Sequence, residues 1–290
     1  MRTSYAGHVK ADTLESYQER MARVAAHIEG HLDEPLPLED LAAVACFSPY
    51  HFHRVFRGMV GESVKEHVRR LRLERAARRL LSGDSTVLEL ALDAGYETPE
   101  SFTRAFDALF GLAPSVFRKN GGKMDAESRM QKAALPAVEV AVRRLPPLRV
   151  AYARHIGPYH EVGEAWSKLM MWAGPRGLLG PNMVRLGISH DDPEITPPER
   201  LRYDAALVVP DSVTGSGEVA IQEIGGGEYA VAMHRGPYDR LGETYAALCG
   251  QWLPTSGREA RNAPPLEFYR TSFEEAPPEE FLTEICVPLV

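Results

Sequence analysis

The chain has 290 residues, of which 44% are hydrophobic and 25% charged, with a formal net charge of −7. That composition suits a soluble globular protein with room for two cores, and no stretch approaches the roughly 20 consecutive apolar residues of a membrane span. Three dispersed cysteines, Cys46, Cys249 and Cys286, make neither a disulfide framework nor a zinc pattern, and the N-terminus carries no apolar leader run, so a cytoplasmic protein is expected.

The charge is unevenly placed. Residues 1–123 hold 17 Lys+Arg and 17 Asp+Glu, so residues 124–290 carry the whole −7. Within 48–79, nine basic residues (Arg54, Arg57, Lys65, Arg69, Arg70, Arg72, Arg75, Arg78, Arg79) stand against Glu62, Glu66 and Glu74. A local +6 of this kind is ordinarily a solvated helix face; beside a DNA-reading motif it is what a phosphate backbone would feel.

In chain order, residues 1–13 are polar and expected to fray. Leu14–Leu32 reads as a helix, with Met21, Val24, Ala25, Ile28 and Leu32 at three- and four-residue steps. Pro35 and Pro37 end it. A repeated pattern follows. Leu38–Ala45 is a short apolar helix, Ser48 an expected N-cap, and Pro49 the first turn of a second helix. That second helix buries Phe52, Val55, Phe56 and Met59, leaves Tyr50, His51, His53, Arg54 and Arg57 on its other face, and closes at Gly61. Ser63–Leu81 reads as a long basic helix. The pattern then recurs: Val87 onward, a turn at Gly95, Thr98 as N-cap, Pro99, and a helix with Phe102, Ala105, Phe106 and Leu109 inward. Each copy is a helix-turn-helix, whose second helix can enter a DNA major groove.

Several local features carry a resemblance: Leu71-x-Leu-x-Arg-Ala76, Val87 with Ala91, Gly95-Tyr96, Ser101-Phe-Thr-Arg-Ala-Phe106, and Phe110-Gly-x-x-Pro114-Ser-x-x-Arg118. Residues 36–119 resemble the DNA-binding domain of the AraC/XylS class of bacterial transcription regulators. Leu90-Ala91 stands where that family usually has Ile-Ala, and Tyr96 where it commonly has Phe. By face, Tyr50, His53 and Arg54 from the first reading helix, and Glu100, Ser101, Thr103 and Arg104 from the second, are expected at double-stranded DNA.

After a polar linker at 121–136 the texture changes to short strand-like runs. His155-Ile-Gly-Pro-Tyr159 recurs 79 residues later as His234-Arg-Gly-Pro-Tyr238. Around each copy the pattern is two strands, a helix, two strands. The expected fold class is therefore two domains: an all-α double helix-turn-helix N-terminal domain at 1–120, and an α+β, pseudo-twofold, duplicated ββαββ C-terminal domain at 137–290 with a cleft where the halves meet. The doubled His-x-Gly-Pro-Tyr and the terminal Phe281-Leu-Thr-Glu284-Ile-Cys-Val-Pro-Leu289 resemble the GyrI-like effector-binding domain, which follows an AraC-type domain in Rob-type regulators.

Glu284 sits mid-strand between Leu282 and Cys286, where a buried carboxylate needs a partner. A strand carboxylate is ordinarily a surface residue; the resemblance favours a pocket. Phe268, Tyr269, Trp166, Trp172, Tyr203 and Tyr152 are the candidate aromatic walls, although each alone suits a core. An acid with aromatic walls suits a lipophilic cation, and the resemblance implies such ligands. Asp204 precedes Pro210 by six residues and Glu284 precedes Pro288 by four, so the two acids are read as out of register. His155 and His234 are expected to bond backbone at strand ends, and Gly225-Gly-Gly227 to form a hairpin turn; no metal and no cofactor is expected. The leading reading is a non-enzymatic transcription regulator that binds DNA and a small-molecule effector, with RNA polymerase a further partner. The alternatives are a small-molecule hydrolase with Glu284 as base, or a protein-interaction module.

Overall fold

The computed structural model describes residues 3–83, 85–122, 135–193, 196–271 and 276–290. Most of the expected linker lies outside the described residues. The first half is helical: α1 (Thr3–Gly30), α2 (Leu38–Ala45), α3 (Pro49–Val60), α4 (Val64–Ser82), α5 (Val87–Asp93), α6 (Pro99–Phe110) and α7 (Pro114–Lys119). The helix α1 begins at Thr3, not at Leu14 as the apolar periodicity suggests. Tyr17, Met21, Val24 and Ile28 are buried on its inner face. Packing there nucleates the helix, and the polar residues before it, free of proline, extend it at little cost.

The helix ends follow local chemistry. Ser63 with Glu66, and Thr86 with Glu89, close capping boxes at the starts of α4 and α5. Thr98 caps α6 by accepting from the Ser101 amide, as the sequence predicts. Ser48 makes no such bond; its hydroxyl is buried without a hydrogen-bond partner in the structure, while its carbonyl accepts from the His51 and Phe52 amides. The two helix-turn-helix turns each pass through the left-handed region, at Cys46 (φ 55°) in the first and Gly95 (φ 83°) in the second.

The second half is an antiparallel sheet with helices on one face. Its elements are β1 (Val140–Leu145), β2 (Leu148–Ile156), α8 (Gly163–Ala173), β3 (Arg185–Ser189), β4 (Arg202–Val208), β5 (Val219–Ile224), β6 (Gly227–Arg235), α9 (Leu241–Ala247), α10 (Leu253–Ser256), β7 (Leu266–Tyr269) and β8 (Leu282–Pro288). A π-helical segment, Leu248–Trp252, joins α9 to α10. The strand order is β1-β6-β8-β7-β3-β4-β2-β5. Strands β1 and β5 thus lie beside β6 and β2, not beside their neighbours in sequence. Gly225–Gly227 is therefore a crossover and not a hairpin turn. Gly226 is required there because a Cβ would stand 2.7 Å from the Pro147 amide nitrogen and 2.9 Å from the Leu145 carbonyl oxygen, in the matching crossover from β1 to β2.

The cores do not divide at the linker. One joins Val24, Ile28, Leu41, Phe52 and Phe56 of the helical half to Ala230, Leu248, Leu253, Ile285 and Val287 of the sheet half. A second, with Leu73, Leu80, Leu90, Phe102, Phe106 and Phe117, belongs to α4–α7. Two more lie on the two faces of the sheet. The first helix-turn-helix therefore shares its core with the sheet half, and the second keeps its own.

Candidate functional site

A cavity of about 1210 Å³ opens between the sheet, α8, α9 and the side of α3. Its floor comes from one face of the central strands. Gly187 of β3 pairs directly with Glu267 of β7, and Ser189 with Tyr203 of β4. Alternation puts Gly187, Ser189, Tyr203, Glu267 and Tyr269 on that one face. A Cβ at Gly187 would stand 2.4 Å from the Tyr203 hydroxyl and 2.5 Å from that of Tyr269, so the glycine leaves the space in which the two tyrosines meet.

Glu267 is the buried carboxylate of this cavity, 4% exposed. Its Oε1 accepts from the Ser189 hydroxyl at 3.0 Å and the Tyr245 hydroxyl at 2.9 Å; its Oε2 accepts from the Tyr269 hydroxyl at 2.8 Å. The Tyr203 and Tyr269 hydroxyls are 2.7 Å apart. Burial, then the Glu267 charge, pushes Tyr203, Tyr245 and Tyr269 well above the usual phenol range, so all three stay protonated as donors. The three hydroxyl dipoles that donate to Glu267 offset part of the cost of burying its carboxyl group. Trp166 packs edge-on to Tyr269, with ring centroids 5.7 Å apart, and Tyr159 and Met170 add to the apolar wall.

Of the side chains expected at the ligand, Tyr269, Trp166 and Tyr203 line this cavity. Glu284, Phe268, Tyr152 and Trp172 do not, and the expectation of Glu284 as pocket acid is corrected. Glu284 pairs with Phe268 across β8 and β7, which puts both on the opposite face of the sheet. There Glu284 Oε1 accepts from Arg143 at 2.6 Å and Oε2 from Arg270. These two arginines hold it below the usual carboxylate range although burial pushes it up. Phe268 packs in the core of that far face with Tyr152 against it, and Trp172 donates to Ser216 at 2.9 Å. Asp204 and Glu284 are also in equivalent registers: Asp204 faces Arg154 and Glu284 faces Met233, each the residue before the repeated histidine. The prolines mislead because Pro288 lies within β8 while Pro210 lies beyond the end of β4. Sequence alternation missed Glu267 because, between Leu266 and Phe268, it looks like an outward polar residue. The available signal was Gly187 between Leu186 and Ile188, marking space on the same face.

His155 and His234 bond the carbonyls of Pro158 and Pro237, at 3.0 and 3.2 Å, and His234 also meets the Thr244 hydroxyl at 2.8 Å. Among the described residues no three His, Cys, Asp or Glu side chains are grouped to hold a metal, and no helix is long and apolar enough to cross a membrane.

The two reading helices differ. On α6, Glu100 and Arg104 are exposed and Ser101 and Thr103 half-buried; the Ser101 hydroxyl is held by the Thr98 cap. On α3 the assignment is corrected: only Tyr50 remains half-exposed, while His53 and Arg54 are 2% and 7% exposed. The sheet half covers them. His51 Nε2 donates to the carbonyls of Arg261 and Ala263, both at 3.1 Å. His53 Nδ1 is 2.9 Å from Asp192. Burial raises the Asp192 pKa, but His53 and the charges of Arg54 and Arg57 hold it below the usual range. Arg54 donates to the Tyr50 carbonyl at 2.7 Å and lies over the Tyr245 ring, 4.1 Å from its centroid. The local basic run is also partly neutralised. Arg70 bridges Glu62 and Glu74, Arg75 meets Asp33, and Arg79 meets Asp93. Arg69 and Arg78 remain exposed.

The GyrI-like small molecule binding domain family matches residues 138–290, and a helix-turn-helix domain family matches residues 41–120. A probable transcriptional regulator of Escherichia coli K12, YgiV, is 32% identical over 157 residues, 52% of this chain and 96% of that protein. The uncharacterized HTH-type transcriptional regulator YbfP of Bacillus subtilis strain 168 is 36% identical over 119 residues, 40% of each chain. The right origin-binding protein of Escherichia coli K12 is 34% identical over 93 residues, 32% of each chain. The matched region thus spans less than half the length of these last two relatives.

Proposed function

Since the chain belongs to the GyrI-like small-molecule-binding family, with a helix-turn-helix domain ahead of that region, we propose that it is a DNA-binding transcription regulator whose sheet half binds an organic cation. The observation that carries the ligand class is the buried Glu267, held by three hydroxyls and faced by Tyr245, Tyr269 and Trp166 in one cavity. A delocalised cation gains there from charge pairing and from the ring faces, and its apolar body from the walls. The DNA contacts are Glu100, Ser101, Thr103 and Arg104 on α6, joined by Tyr50 on α3, with RNA polymerase as the downstream partner. The proposed division into 1–120, 121–136 and 137–290 draws its support from the family matches at 41–120 and 138–290. A duplicated ββαββ origin for the sheet half is supported by its strand order, which reads the same from either edge when the two halves are exchanged.

The test is calorimetric titration of the full chain with tetraphenylphosphonium, and with triphenylphosphine oxide as a neutral body of similar shape. Binding of the cation alone, weakened about tenfold or more by Glu267→Gln and unchanged by Glu284→Gln, is the expected outcome. Equal binding of both compounds, or equal loss in both variants, removes the reading.

A further inference from the structure

The contact that covers α3 is closely fitted. Gly58, in the last turns of α3, lies against Gly250 in the π-helical segment. A Cβ on Gly58 would stand 2.2 Å from the Ala246 carbonyl oxygen and 2.4 Å from the Gly250 Cα; one on Gly250 would stand 2.1 Å from the Gly58 Cα. No side chain can occupy either position while the two backbones touch. A glycine inside a helix is less favourable than alanine, so α3 gives up intrinsic stability where docking needs the space. The partner segment is π-helical, a geometry that itself departs from the regular ladder.

The same contact puts a cation into the cavity. His53, Arg54 and Arg57 form its wall on the α3 side. The Arg54 guanidinium lies on the face of Tyr245, and the hydroxyl of that ring donates to Glu267. This is the chemistry an organic cation would use: a delocalised positive group on an aromatic face whose far edge is bonded to the buried acid.

We propose that the docked α3 is an autoinhibited state in which Arg54 acts as a tethered cation in the effector cavity, and that an organic cation displaces it, undocking α3 so that both helix-turn-helix units can engage DNA. The proposal rests on the cation-binding reading above and adds its regulatory consequence. DNA and effector both bind the undocked chain better than the docked one, so each raises the affinity for the other by the same factor. Without effector, α6 alone meets the duplex. With effector, His53, Arg54 and Arg57 leave the sheet half and join Tyr50 at the second groove.

The test uses the full chain, tetraphenylphosphonium, and a duplex selected from a random-sequence pool by the Gly250→Ala chain. Gly58→Ala and Gly250→Ala break the docking from opposite sides, so a fold defect in one leaves the other to decide. The wild-type chain is expected to bind the duplex about tenfold tighter when saturated with the cation, with faster amide exchange along Arg54–Met59. Either alanine variant should bind at the higher level without the cation and lose the response, while calorimetry still detects cation binding. The proposal is overturned if a folded alanine variant binds DNA no better than wild type, or if bound cation leaves both DNA affinity and α3 exchange unchanged. Absence of cation binding overturns the ligand reading and the competition together; tighter DNA binding by the alanine variants would then show occlusion alone.

Discussion

The helices α3 and α6 are written in the same pattern and end in different places. Each has proline in its first turn, two phenylalanines four residues apart (Phe52 and Phe56, Phe102 and Phe106), and an arginine between them, Arg54 or Arg104. In both the phenylalanines are fully buried against the helix-turn-helix core. Arg104 is exposed, whereas Arg54 lies under the sheet half on Tyr245. An amphipathic pattern shows which face a helix must bury. It does not show whether a distant part of the chain covers the other face, because the covering residues, Asp192, Tyr245, Gly250 and Arg261, lie more than 130 positions away.

The largest test of this difference is in the cores. Phe52→Ala and Phe106→Ala each remove a fully buried ring and should each cost about 3–5 kcal/mol. Their reach should differ. Phe106 packs with α4–α7, so hydrogen exchange should quicken there and leave the sheet protected. Phe52 shares a core with Ala230 and Ile285, so its loss should also loosen β6 and β8. Unchanged protection of those strands in Phe52→Ala would break the comparison.

The reading side chains come next. Arg104→Ala should lose about 1–3 kcal/mol of specific DNA binding. Arg54→Ala, in the chain without effector, should lose far less because Arg54 is covered there. Fluorescence anisotropy at one fixed salt concentration measures both, and equal losses would show that α3 reaches DNA while docked.

The docking surface itself should respond to acid. Burial first, then the Arg54 charge, depresses His51 from 6.5 to about 3, although the Arg261 and Ala263 carbonyls oppose the shift. A depressed folded-state pKa favours the neutral ring. The contribution is therefore complete above pH 6.5 and is lost as pH falls towards 3, because released His51 takes a proton that docked His51 refuses. By pH 5 the loss is about 2 kcal/mol. Amide exchange of α3, followed from pH 7 to 5 in wild type and His51→Gln, should quicken on acidification in the wild type alone; the same slope in both would assign the effect elsewhere.

Much of this molecule is set by short-range chemistry and is legible in the residue order. Proline, glycine and capping residues placed α1–α7 to within a few positions, except at the start of α1. The repeated His-x-Gly-Pro-Tyr marked the ends of β2 and β6, with each histidine bonded to the carbonyl three residues on. Phase along a strand was also legible, but not which phase faces the ligand. Glu267 and Glu284 both sit in apolar strands, and only the pairing of β7 with β3 on one side and β8 on the other puts the first in the cavity and the second between two arginines. Local propensity acts over one or two turns of chain. The exchange of β1 and β5, the cover over α3 and the choice of pocket acid arise from contacts between residues far apart in sequence, and only the tertiary structure decided them.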